Sequence, residues 1–301
     1  MTSPRASTLL PFAVACLGVA IFSVMDAIMK GLSIAIGPYN ALLWRTLTGA
    51  VMLAPAFLAA VGRVPDRRIL ALHVSRSLAG GLSVLLFFWG LVRVPLAQGI
   101  ALSFVAPLVA LGLAALFLKE RVGRRAVAGS LVAFAGVLVI LAGQSGAQGK
   151  GGTIGGAVAI LIASIFWAIS LVIGRRQSMA ASPIEVAFAF NLVAACFYGT
   201  AAPWLATVPD VAHWPTILLA SVVGTSAIML LAWSYARAEA QRLVVVEYTA
   251  FIWASLLGWW LFGEHVLPAT VAGAAMIVAG CLWAARQQPG RPHPNIEPEA
   301  A

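Results

Sequence analysis

Ten acidic side chains, four histidines and three cysteines are the chain's whole stock for acid–base, nucleophilic or metal chemistry. Their spacing assembles none of it. There is no Gly-rich phosphate loop, no His-x-x-x-His pair, no nucleophile elbow and no carboxylate cluster. Cys16, Cys196 and Cys281 stand far apart, with no metal or redox spacing. His293 lies near the C-terminus, His213 and His265 in loops, and His73 near one end of an apolar block. The sequence therefore predicts no enzyme, no catalytic residue, no cofactor and no metal. What stands out instead is a few charges inside long apolar blocks: Asp26, Arg45, Arg76 and Glu247. Charges there are costly and call for a functional hypothesis.

The blocks that carry them dominate the composition. Hydrophobic residues make up 61% and charged residues 10%, where a soluble domain carries roughly 25% charged residues; mean hydropathy is +0.97. Apolar runs of membrane-spanning length predict an all-α integral membrane protein. Ten spans result: 9–29, 38–61, 69–92, 96–118 and 126–142, then 153–174, 183–206, 214–236, 242–262 and 268–285. The first block stays apolar too long, and lacks a clear small-residue cleavage site, for a signal peptide. The net charge of +9 fits basic cytoplasmic loops better than nucleic acid.

One half-chain is duplicated. At a constant offset of 144 residues (Glu120 to Glu264), Leu118-Lys119-Glu120 answers Phe262-Gly263-Glu264, and Val127-Ala128-Gly129 answers Val271-Ala272-Gly273. Ala135-Gly136 answers Ala279-Gly280, Trp89 and Arg93 answer Trp233 and Arg237, and Ile21-Phe22 answers Ile165-Phe166. Five spans per copy is odd, so the copies enter the membrane from opposite sides. The expected organisation is two inverted five-helix repeats, residues 9–142 and 153–285, joined by the Gly-rich segment 144–152 and followed by a disordered cytoplasmic tail, 286–301. With the N-terminus inside, the inner segments hold 14 basic residues and the outer loops three, Lys30, Arg93 and Lys150. That bias predicts both termini in the cytoplasm, Glu120 inside and Glu264 outside.

Inverted repeats are a transporter architecture, with the substrate site near the midplane beside broken helices. Pro107 and the pair Gly80-Gly81 are the candidate kinks or hinges; the glycines read equally as close-packing points. Asp26 and Arg45 enter from the same side and have the reach to pair. Arg76 and Glu247 are placed to form an inner latch. For all four the alternative is a static, helix-orienting role. Glu185, at the start of the seventh span, reads as solvated. No carboxylate falls near the midplane by these span boundaries. A central cavity is expected from neutral polar and aromatic side chains: Ser23, Ser83, Phe87, Ser103, Phe104, Ser164, Trp167, Ser226, Trp233 and Tyr248. Such a lining suits a small-molecule substrate with apolar or aromatic bulk. Membrane lipid is the other partner, nucleic acid is not, and Ala128, Gly129, Ala135 and Gly136 serve either internal packing or a weak homodimer, leaving monomer and dimer both open.

Taken together, the pattern resembles the drug/metabolite transporter superfamily, of EamA type, over roughly residues 9–285. Phe104-Val105-Ala106-Pro107 through Phe117-Leu118-Lys119-Glu120-Arg121-Val122 carries the resemblance in the first half, and Tyr248 through Gly263-Glu264 in the second. Lys30, Arg45, Ile165-Phe166-Trp167-Ala168 and Arg175-Arg176 match as well. Phe22-Ser23 and Ala250-Phe251 depart from the common Trp-Gly and Glu-Pro; the second departure is expected to remove a kink from the ninth helix. The resemblance implies ten helices around a central cavity and export of amino acids or other metabolites across a bacterial inner membrane by alternating access, with YddG-type exporters the nearest branch. Without a central carboxylate, facilitative export of aromatic and other neutral amino acids is the expectation. Proton-coupled efflux of drugs or other small metabolites is the alternative.

Overall fold

The computed structural model describes residues 6–62, 65–106, 108–109, 113, 124–146, 153–178, 180–235, 246 and 248–285, and every structural statement below concerns those. They are all helix and turn. The principal helices are α1 (Ala6–Ile36), α2 (Pro38–Ala60), α3 (Arg67–Leu91), α4 (Leu96–Ser103) and α5 (Arg124–Gly146), then α6 (Ile154–Ser178), α7 (Pro183–Gly199), α8 (Trp214–Tyr235), α9 (Ala250–Phe262) and α10 (Pro268–Ala285). Five described stretches are long and apolar enough to cross a membrane: Leu10–Ile36, Pro38–Ala60, Arg67–Leu91, Ile154–Gly174 and Val211–Leu231. Shorter apolar helices accompany them.

Local signals set the ends. Gly37 at φ +82° and Pro38 at the first helical position separate α1 from α2, since proline starts a helix but cannot continue one. Asp66 caps α3 by accepting from the Ile69 N–H at 2.9 Å. Gly263, left-handed at φ +63°, ends α9 in an αL cap: Gly263 N–H reaches the Trp259 carbonyl, and Glu264 N–H the Gly258 carbonyl, both at 3.1 Å.

The halves interlock. The most extensive packing joins α5 to α10, α3 to α6, α1 to α8, α2 to α7, α3 to α7, α2 to α8 and α4 to α9. Advancing each helix number by five maps this set onto itself, so the packing carries the inverted repeat as well as the sequence does. Glycine makes the α5–α10 contact close. A Cβ on Gly136 would lie 2.6 Å from the Gly273 carbonyl oxygen, and one on Gly280 would overlap the Gly129 carbonyl. These two contacts are related by the 144-residue offset. The small-residue stripe is thereby internal packing.

One face, here called proximal, holds the start of α1 and α3 and the end of α6; the opposite, distal face holds the end of α1 and the start of α4. The first span is longer than expected. α1 continues to Ile36, so Lys30 lies within a helix and is 2% exposed, not in an outer loop. Asp26 lies ten residues inside the helix end, close to three turns deep. The apolar run after Lys30, ending at Gly37-Pro38, is the signal that marks this boundary.

Candidate functional site

The two halves meet at a pair of interrupted helices. After Ser103 the backbone tightens: Phe104 N–H bonds to the Ala101 carbonyl and Val105 N–H to Leu102, both three residues back at 3.3 Å. In the second half Thr249 N–H bonds to Val246 at 2.9 Å and Phe251 N–H to Tyr248 at 3.3 Å, again three residues back. The turns fall at 104–105 and 248–249, 144 residues apart. Short i→i+3 stretches of this kind mark breaks in helices, and paired breaks between inverted repeats are where transporter sites form. The break in the ninth span occurs without a proline, contrary to the expectation from Ala250-Phe251. There the Thr249 hydroxyl donates to the Val246 carbonyl at 2.6 Å and stabilises the tightened turn. Pro107 lies outside the described residues.

Phe104 and Tyr248, one from each break, touch edge to face with centroids 5.1 Å apart. A residue that touches its own counterpart lies on the pseudo-twofold axis, which marks the centre of the repeat. Phe87 contacts Phe88 in the same core, edge to face at 5.2 Å. Hydroxyls expected to face a solute are committed elsewhere. Ser23 donates to the Val19 carbonyl (2.9 Å), Ser83 to Ala163 (2.8 Å), Ser103 to Ile100 (2.7 Å) and Ser164 to Ile160 (3.0 Å). Trp167 and Ser226 are exposed and Trp233 is half-buried.

Gly80 and Gly81 lie inside an unbroken α3. A Cβ on Gly80 would come within 2.8 Å of the Phe190 ring, and the Gly81 carbonyl accepts from the buried Tyr198 hydroxyl at 2.7 Å. They pack α3 closely against α6 and α7.

Asp26 and Arg45 are buried, 6% and 8% exposed. Their charges act on each other, but they do not close into an ion pair: among the described residues the ion pairs are Lys30–Glu264 and His73–Glu185. The Arg45 guanidinium lies instead over Gly224 of α8, next to Met25, where a Cβ would be 2.9 Å from Nη2. Its Nε is buried without a hydrogen-bond partner.

At the distal face a clasp joins the halves. Glu264 accepts from the Lys30 ammonium through Oε1, and from the Leu96 N–H through Oε2 at 2.7 Å. Lys30 also donates to the Val94 carbonyl at 2.8 Å and lies 5.2 Å from the Phe262 ring centroid. Leu96 opens α4, whose N-cap, Pro95, supplies no side-chain acceptor. Glu264 therefore caps that helix from the other repeat, where a carboxylate is favoured. Gly258 leaves it room, since a Cβ there would stand 2.9 Å from Oε2.

At the proximal face four side chains form a chain of hydrogen bonds. Arg76 donates to the Gln177 carbonyl oxygen, so the Gln177 amide nitrogen faces His73 Nδ1, at 2.5 Å, and donates to it. The His73 proton is then on Nε2, 3.1 Å from Glu185 Oε1. Glu185 is thus buried (9% exposed) and not solvated. Ser182 and Glu185 have capping-box spacing behind Pro183, but the carboxylate turns to α3. Arg76 is committed to Gln177; its expected latch partner, Glu247, lies outside the described residues. Sequence reading missed Lys30, Glu264, Gln177, His73 and Glu185 as contacts, because all of them sit at span ends where loop and helix look alike.

Known proteins agree with this architecture. The EamA-like transporter family model matches residues 10–142 and again 154–286, and the chain belongs to that family. It is a membrane transporter of small metabolites, not an enzyme. The pseudopaline exporter CntI of Pseudomonas aeruginosa is 24% identical over 271 residues, 89% of this chain and 93% of that one. A riboflavin transporter of Brucella anthropi is 26% identical over 255 residues, covering 82% and 87%. A probable terminal-alkyne amino-acid exporter of Streptantibioticus cattleyicolor is 29% identical over 213 residues, covering 67% and 68%. A crystal structure of a protein 22% identical superposes with a TM-score of 0.60 over 94% of this chain and 97% of that one; at that identity the likeness concerns the fold alone.

Proposed function

We propose that the protein exports small metabolites of amino-acid type across a bacterial inner membrane by alternating access, its proximal face and both termini in the cytoplasm. The observation that carries this reading is the pair of symmetry-related helix breaks at Phe104 and Tyr248, set between interlocked inverted repeats. A solute bound there is reached from either face by rocking one half against the other. Support for the substrate class comes from the relative named as an amino-acid exporter and from the aromatic surface at the break. The distribution of basic residues supports the orientation.

Flux follows the solute gradient in this reading. A second reading, proton-coupled efflux, draws support from Asp26: α1 extends past Lys30, which carries this carboxylate deeper than the sequence indicated. Proteoliposomes of the purified full chain, given labelled L-phenylalanine, riboflavin and a cationic dye with and without a pH gradient, test both. Saturable phenylalanine flux that persists when the gradient is collapsed is the expected outcome. Uphill flux abolished by that collapse moves the reading to proton coupling, and dye or riboflavin flux without phenylalanine flux overturns the substrate class.

A further inference from the structure

We infer that Asp26 and Arg45 form a two-point site for the charged ends of a zwitterion, the carboxylate of Asp26 taking an ammonium and the guanidinium of Arg45 taking a carboxylate. This rests on the export reading above and names its recognition chemistry. Three observations carry it.

The first is burial without pairing. Both side chains are more than nine-tenths buried, both lie within membrane-spanning stretches, and no ion pair joins them. Arg45 Nε has no partner at all. The two charges act on each other electrostatically yet do not close into an ion pair, although closing it would lower the cost of burying them and would serve static helix orientation better.

The second is the other half of the molecule. The offset of 144 residues maps Asp26 to Ser170, Arg45 to Ala189 and Gly224 to Gly80. At that related place Gly80 receives the Phe190 ring and the Ser170 hydroxyl. The same helix packing is thus achieved with neutral side chains, so the fold does not need the charges. They are present in one copy only.

The third is the surrounding chemistry. Tyr198, whose electrostatic influence reaches Arg45, gives its hydroxyl proton to the Gly81 carbonyl. Ser221 and Thr48 are bonded to each other at 2.8 Å and to backbone carbonyls. These groups do not satisfy the guanidinium. Opposite charges on separate helices, α1 and α2, match a solute that carries one charge of each sign. A guanidinium is also suited to hold a carboxylate through two parallel N–H bonds. A singly charged solute would leave one of the two unpaired, which supplies selectivity.

The test is counterflow of labelled L-phenylalanine in proteoliposomes, with phenylalanine, 2-phenylethylamine and 3-phenylpropanoate as competitors. The wild-type chain is expected to prefer the zwitterion to either singly charged analogue by about tenfold or more. In Arg45→Gln the advantage over the amine collapses while that over the propanoate remains; Asp26→Asn shows the reverse. Both variants are near in shape to the native residues, and Ser170→Ala, at the related position, retains wild-type flux and selectivity as a folding and reconstitution control. Phenylalanine flux with selectivity unchanged in both variants overturns the inference and leaves the export reading standing. Equal loss of all three compounds in both variants assigns the charges a structural role and also overturns it. No phenylalanine flux in the wild type, with riboflavin or dye carried, overturns the export reading and this site with it.

Discussion

At the proximal end His73, Arg76, Gln177 and Glu185 are linked by hydrogen bonds from α3 to α6 and α7. The residues 144 positions away at the distal end are Ile217, Ala220, Ser33 and Ala41, at most 2% exposed. Where the distal end has the buried Lys30, the proximal end has Gly174, with Arg76 seated over it. Two copies of one half-chain thus close opposite faces by different means. At these positions the distal face is apolar but for Ser33, whose hydroxyl has no partner among the described residues, and beside them stands the charge-assisted clasp. The proximal face has a relay of polar groups, each able to exchange its partner for water. Apolar contacts lose their driving force only when pulled apart into water, whereas polar ones trade bond for bond. Inverted repeats with identical ends would favour neither conformation. We propose that this difference biases the resting state toward a closed distal face.

Breaking the clasp tests that comparison most severely. Glu264→Ala leaves the Lys30 ammonium buried and the α4 N-terminus uncapped. The expected cost is about 3–5 kcal/mol, read as a lowered melting temperature of the detergent-solubilised protein; Lys30→Met together with Glu264→Gln recovers most of it. A single-variant loss below about 1 kcal/mol would mean the pair is solvated and the distal seal is apolar alone.

The α5–α10 contact, common to both ends, comes next. Gly273→Leu puts a side chain against the Gly136 carbonyl, where even a Cβ would lie 2.5 Å away. Overpacking of this kind costs about 1–3 kcal/mol. A neutral result would show that α10 shifts freely on α5.

The proximal relay is expected to be weaker. His73→Ile strands Glu185 and Gln177, at about 1–3 kcal/mol. Installing the distal set in full, with His73→Ile, Arg76→Ala, Gln177→Ser and Glu185→Ala, restores stability to within about 1 kcal/mol of wild type. It also slows counterflow, because both faces then carry an apolar seal. Faster flux would contradict the assignment of the relay as the more easily opened end. Smallest of all is the exchange Phe104→Tyr with Tyr248→Phe. Each swap adds or removes one hydroxyl on the pseudo-axis, and the thermal midpoint should move by no more than about 0.5 kcal/mol in equivalent stability.

Much of this molecule was legible in the chain. Ten apolar blocks and the 144-residue repeat stand out because membrane burial imposes long uninterrupted apolar runs and duplication preserves spacing. Phe104 and Tyr248 were named from their residue types among ten cavity candidates, but their contact with each other was not. The ninth-helix break was not, because Thr249 supports it with a hydroxyl, a feature without proline's signature. Lys30 read as a loop residue since a charge ends an apolar run by composition, while the helix itself continues to Gly37-Pro38. Glu185 carried a cap signature and was read as solvated. Its partner His73 lies 112 positions away, and tertiary pairing of that kind leaves no local trace.

In the proposed cycle the two faces open in alternation from a state closed at the distal side. Labelling by a membrane-impermeant thiol reagent measures it, using Ala41→Cys and His73→Cys in separate reconstituted proteins lacking native cysteines. Ala41→Cys is expected to label slowly at rest. Glu264→Ala, or added transported solute, should accelerate that labelling while slowing it at His73→Cys. Rates that rise together at both positions, or that solute leaves unchanged, would contradict it.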